Sequence, residues 1–135
     1  MHFRPLLVCL TLFALTGCPA GPADAKKTAA APADPNAPSA ADTAEATKIF
    51  QERCTVCHGA TGAGDGAASA GLDPKPRNLT EAAWQGSVTD DYIEAIIKSG
   101  GTAVGKSAAM PGNPDLAGKP GVVAALRVYV RGLAR

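Results

Sequence analysis

The sequence predicts an all-α domain preceded by a disordered tether, on three observations. Apolar residues between Ala46 and Leu133 recur at helical spacing. Hydroxyl or acidic residues stand where those stripes begin, and glycine follows one of them, as helix termini require. No segment shows the apolar–polar alternation of a half-buried strand. With 135 residues there is room for one domain of ordinary size plus appendages. Only 4% of residues are aromatic and 15 are glycine, so a core made of protein alone would be thin. The formal net charge of +1 gives no reason to expect nucleic acid as a partner.

The first element is not part of the fold. Residues 1–18 read MHFRPLLVCLTLFALTGC, with Arg4 ahead of an apolar run from Leu6 to Leu15. That is the layout of an export signal, and the run is too short to span a membrane as a helix. Leu15-Thr16-Gly17-Cys18 resembles the lipobox of bacterial lipoproteins. The resemblance implies that residues 1–17 are removed, Cys9 with them, and that the Cys18 sulfur receives lipid. Its acyl chains would hold the protein to a membrane of the bacterial cell envelope, with roughly 0.8 kcal/mol from each buried methylene. The folded domain would then face the periplasm or the outer surface. Residues 19–43 contain ten Ala and five Pro and nothing more apolar than Ala. Such a segment cannot offset its ordering entropy by burial. Residues 18–43 are therefore read as a lipidated linker spanning roughly 25–30 Å as a flexible coil, and residues 44–135 as the folded domain.

Within the domain, Asp42 with Glu45 three residues later makes a variant of the capping box. Ala46, Ile49, Phe50 and Arg53 come next at helical spacing. Thr80 can cap a short helix through Trp84. Thr89-Asp90-Asp91 opens another, with Lys98 in its last turn to suit the macrodipole and Gly100 at its end. Ile93, Ile96 and Ile97 form its apolar stripe. Val122, Val123, Leu126, Val130 and Leu133 mark a C-terminal helix.

The first of these helices runs into Cys54-Thr55-Val56-Cys57-His58, the C-x-x-C-H attachment signature of c-type haem. On a helical turn, residues three apart share a face, so both thiols reach the two vinyl groups of one porphyrin. The next residue then offers its imidazole to the iron. A structural zinc site would need four ligands, and after removal of the signal Cys54, Cys57 and His58 are the only Cys and His left in the domain. A thioredoxin-like pair would want a βαβ setting, and a plain disulfide leaves His58 unexplained. The chain has two methionines, and Met1 leaves with the signal. Met110 is thus the thioether available as second axial ligand, and Pro111 biases it away from helix. The alternative for Met110 is a gap-filling core side chain.

Residues 44–135 resemble the class I cytochrome c family, monohaem and bacterial. In that family a small residue and an aromatic four apart pack across the last helix; Ala46 and Phe50 stand there, with Ala where Gly is usual, and Leu126 and Tyr129 match the partner positions. Pro76 through Leu79 resembles the loop whose carbonyl orients the proximal histidine, the acceptor being Pro76 or Arg77. Arg77 and Trp84 either contact a haem propionate or are a surface cation and a core aromatic. The resemblance implies one covalently attached haem c, with iron, in an electron carrier rather than an enzyme. Its partners would be redox proteins of the cell envelope. The alternative is a haem sensor or peroxidase-like enzyme in which Met110 is displaced.

One motif points elsewhere. Gly100–Ser107, GGTAVGKS, matches the phosphate-loop pattern letter for letter. That pattern works only between a strand and a helix. Here a helical segment precedes it, and Pro111 and Pro114 come too soon for a long helix. Lys106 is read as a solvated loop cation, and no nucleotide is expected.

Overall fold

The computed structural model describes residues 37–135, and among these residues there is no strand. Five α-helices form the shell: α1 Ala40–Ile49, α2 Thr55–His58, α3 Ala82–Ser87, α4 Asp90–Ser99 and α5 Pro120–Arg131. A π-helical turn, Phe50–Cys54, joins α1 to α2. Short 3-10 turns stand at Ala67–Ser69, Thr102–Val104 and Pro114–Leu116. The fold is all-α, as the periodicity required.

Helix α1 starts four residues before the expected boundary at Ala44. Its cap is Ser39, not Asp42. The Ser39 hydroxyl accepts the Asp42 amide at 3.1 Å, while the Asp42 carboxylate accepts the Ser39 amide at 2.9 Å. The Ser39 hydroxyl, which also donates to that carboxylate at 2.6 Å, and the Ser39 amide hold the Asp42 carboxyl below its ordinary range. Asp42 therefore closes the reciprocal box from the third helical position, and Ala40 and Ala41, strong helix formers, lie inside the helix. Residues 40–43, expected to belong to the disordered linker, are helical.

Ala46 and Phe50 are each only 1% exposed, and the Phe50 ring lies 4.5 Å from that of Tyr129 with 34° between planes. Helix α5 begins with Pro120, whose fixed φ suits a first helical position. It buries Val122, Val123, Leu126 and Val130 against α1 and α4. Leu133 lies just past the helix end, yet still packs on this core. Helix α4 is capped by the Thr89 hydroxyl, which accepts the Tyr92 amide at 3.1 Å, and turns Ile93 and Ile97 inward. The expected cap at Thr80 does not form. The Thr80 hydroxyl donates to Asn78 Oδ1 at 2.8 Å and accepts no helix amide, and α3 begins at Ala82 and continues past Trp84 to Ser87.

A buried polar cluster locks α3 to the end of α5. Gln85 Nε2 donates to the carbonyls of Leu79, at 2.7 Å, and Val130, at 2.8 Å. Arg131 donates to Gln85 Oε1 at 3.0 Å, to the Val88 carbonyl at 2.8 Å and to Asp90 Oδ1 at 2.8 Å. Replacing Gln85 with leucine strands the buried Leu79 carbonyl, takes one donor from the Val130 carbonyl, which keeps the Leu133 amide at 3.2 Å, and removes one guanidinium contact. The expected loss is about 2–3 kcal/mol of folding stability, measured by chemical denaturation of the haem-loaded protein.

Candidate haem site

A cavity of about 1,100 Å³ lies among α1, α4, α5 and the loops around them. It lies just above the usual size range of small-molecule sites, about 300–1,000 Å³. Ile49, Phe50, Ile93, Ile97, Leu126 and Val130 form its apolar wall. The core that looked thin in the sequence is built around this space.

Cys54, Cys57 and His58 line the cavity, and the backbone explains how they reach it. A π-turn takes one residue more than an α-turn, so α2 is rotated relative to the Ala46–Phe50 stripe that faces α5. After His58 the chain folds back on the motif. Gly64 donates to the His58 carbonyl at 2.8 Å and Gly66 to the Cys57 carbonyl at 3.1 Å. Leu79 then donates to the Gly62 carbonyl at 2.7 Å, which draws residues 76–79 alongside. The result is a 3.0 Å bond between His58 Nδ1 and the Arg77 carbonyl, deciding between Pro76 and Arg77. A carbonyl can only accept, so Nδ1 carries the proton and Nε2 keeps its lone pair. Burial pushes the His58 pKa below its ordinary value, against the smaller opposing effect of that bond. Burial thus favours the neutral imidazole, and the Arg77 carbonyl orients the ring.

Both cysteines are free thiols. Burial pushes the Cys54 pKa up to about 11, although Arg53 beside it pulls the other way. Redox-active C-x-x-C pairs need the opposite, a lowered pKa. Among the described residues no three His, Cys, Asp or Glu side chains come together to hold a metal ion unaided, which also disposes of a protein-only zinc site there.

Met110, Arg77 and Trp84 line the same cavity. Met110 is half-buried in a non-helical segment, as Pro111 led one to expect. Arg77 pairs at the surface with Glu81 at 3.2 Å, and half-buried Trp84 packs on the core. Cys18 lies outside the described residues.

GGTAVGKS turns out to build the loop that carries Met110. Helix α4 runs directly into it. The amides of Val104 and Lys106 are spent on the Gly101 carbonyl at 3.1 and 2.8 Å, and that of Gly105 on the Thr102 carbonyl at 3.2 Å. Between Ser107 and Pro120 the only helical element is the short 3-10 turn at Pro114. The geometry of a phosphate cradle is absent from this segment. Glycine is needed at 100 because φ is +78° and because a Cβ there would stand 2.7 Å from the Gly112 amide nitrogen. Gly112 is the other half of that crossing, where a Cβ would lie 2.8 Å from the Lys98 carbonyl.

Two free thiols and an oriented imidazole on one helical turn, at the wall of an apolar cavity, fit covalent attachment and ligation of a c-type haem. A helical shell around such a site defines a haem-binding electron-transfer domain. The family model described as Cytochrome c matches residues 43–133, and the chain belongs to that family. Haem c, covalently attached and containing iron, is its cofactor. Neither the search of curated proteins nor that of solved structures returned a match.

Proposed function

We propose that this chain is a one-electron carrier of a bacterial cell envelope. It holds one haem c through Cys54 and Cys57, with His58 and Met110 as axial ligands, and is tethered by lipid on Cys18. The observation that carries the reading is one cavity lined by both His58, its Nδ1 tied to Arg77, and Met110, the sole thioether beyond the signal. Bound there, haem supplies a ferric–ferrous couple. The protein's part is to anchor and tune it. Cys54 and Cys57 fix the group covalently. The Arg77 carbonyl keeps the His58 ring in one tautomer and raises its basicity, as partners of ligating histidines do elsewhere. The Met110 thioether favours the ferrous state and raises the potential. The apolar wall would bury one side of the group. With His58 and Met110 both holding the iron, the protein would leave no position open to a substrate, which suits outer-sphere transfer.

Arg77 and Trp84 both line the cavity, which supports reading them as propionate contacts beside the Arg77–Glu81 pair and the packing of Trp84 on the core. Val56, between the two cysteines, is 49% exposed. It offers a small apolar patch beside the attachment point, suited to the weak, transient docking of redox partners.

The ferric protein should show the sulfur-to-iron charge-transfer band, and haem absorption should survive denaturation. Replacing Cys18 with alanine should move the protein from the membrane to the soluble envelope fraction with its haem spectrum unchanged. A variant that stays tightly membrane-bound would refute the lipid anchor.

A further inference from the structure

The chain places its two proposed axial ligands on separate segments of one compact unit. His58 belongs to the α1–α2 segment, which is welded to α5. Met110 belongs to a loop built on α4. That loop is closed at its base by the Gly101 amide, which donates to the Met110 carbonyl at 3.0 Å. Beyond Met110, Asn113 caps the exposed end of α4. Its backbone amide donates to the Lys98 carbonyl at 2.9 Å and its Nδ2 to the Ile97 carbonyl at 2.8 Å. Those carbonyls, in the last turn of a helix, have no partner within it.

One side chain ties the haem-attachment turn directly to the segment after Met110, beside the packing of α4 on α5 and the bonds of Arg127 and Arg131 to Glu94 and Asp90. Arg53, next to Cys54, reaches across with Nη1 3.2 Å from Asn113 Oδ1 and 3.1 and 3.0 Å from the two oxygens of Asp115. Among the described residues no other hydrogen bond links residues 50–58 to residues 100–116. We propose that Arg53 is a positioning residue for Met110, tying the loop that bears the thioether to the turn that bears the haem attachment. The proposal rests on the reading of Met110 as an axial ligand. Asn113 faces both ways, capping α4 with its amide nitrogens and receiving Arg53 on its oxygen. Arg53 thereby constrains the gap between His58 and Met110 without touching either.

The scale is set by exposure. The Arg53 and Asp115 side chains are 45% and 50% exposed, so solvent weakens the tie. Losing it should let added imidazole displace Met110 from ferric iron with about two- to fivefold higher affinity. The experiment titrates imidazole into the haem-loaded wild type, Arg53→Ala and Asp115→Asn, following loss of the sulfur charge-transfer band. Arg53→Ala should gain the full factor. Asp115→Asn, which spares the Asn113 contact, should gain less and serves if Arg53→Ala matures poorly. The gap from wild type should narrow in molar salt, where exposed charge pairs are screened; a pure packing defect would not respond in that way. Amide exchange of residues 101–110, read by mass spectrometry on the same proteins, should rise in Arg53→Ala. A wild type lacking the sulfur band sinks the Met110 assignment alone, and exchange then decides for or against the tie. Unchanged imidazole affinity with unchanged exchange overturns it.

Discussion

A Cys54→Ala/Cys57→Ala double variant should carry no haem through denaturing electrophoresis, and its apo chain should lose its compact helical fold. The first effect stems from attachment. No other cysteine remains beyond the signal and Cys18, so no thioether can form elsewhere in the domain. The second stems from the cavity of about 1,100 Å³ that Ile49, Phe50, Ile93 and Leu126 help to wall. Without haem the apolar side chains walling this open space would face water, at roughly 1.5–3 kcal/mol each, so three of them would cost roughly 5–9 kcal/mol. That is comparable with the roughly 5–15 kcal/mol that holds typical domains folded. Haem staining of a denaturing gel and far-ultraviolet circular dichroism check the two halves separately. Haem that stays bound through denaturation would mean the attachment is wrongly assigned.

Met110→Ala is the second large effect, and it acts on potential rather than on retention. The two thioethers and His58 should keep the haem in place, so haem content should match the wild type. Loss of the soft sulfur ligand, which favours ferrous iron, should lower the reduction potential by on the order of a hundred millivolts, within the ≈ 0.8 V that axial ligands span. The sulfur-to-iron charge-transfer band should vanish, and carbon monoxide should bind the ferrous variant far faster than the wild type. Potentiometry, absorption spectra and flash-photolysis rates test this together. A wild type that already lacks the band and binds carbon monoxide rapidly would make the chain a ligand-binding haem protein and displace the electron-carrier reading.

Local chemistry made much of this legible. Cys54, Cys57 and His58 are neighbours in sequence, so their joint purpose needed no tertiary information. Ile93 and Ile97 on α4, and Val122, Val123, Leu126 and Val130 on α5, declared their inward faces by spacing alone. Thr89 and Gly100 bounded α4 correctly because a cap bonds within its own turn. The first boundary was misread for an equally local reason. Two overlapping boxes, Ser39 with Asp42 and Asp42 with Glu45, compete within a few residues, and Ser39 forms the one observed. Thr80 is no cap, its hydroxyl being turned to Asn78 Oδ1 two residues away.

Features that depend on distance along the chain were settled only by folding. The all-α class, the haem attachment and the one available thioether were fixed by primary structure, since each rests on neighbours in the chain or on counting. Whether Pro76 or Arg77 orients His58 was not. Only the fold-back through Gly62 and Gly64 places the Arg77 carbonyl 3.0 Å from the ring. Nor could letters alone distinguish GGTAVGKS from a phosphate loop, because glycines serve any tight crossing, and the crossing here is with Gly112. Gln85, and the Arg53 tie to Asn113 and Asp115, carried no local signal at all. Gln85 bonds Val130 across 45 residues and Arg53 bonds its partners across 60 and 62. A polar side chain on a helix looks the same in sequence whether it meets water or a distant carbonyl, and packing alone decides which.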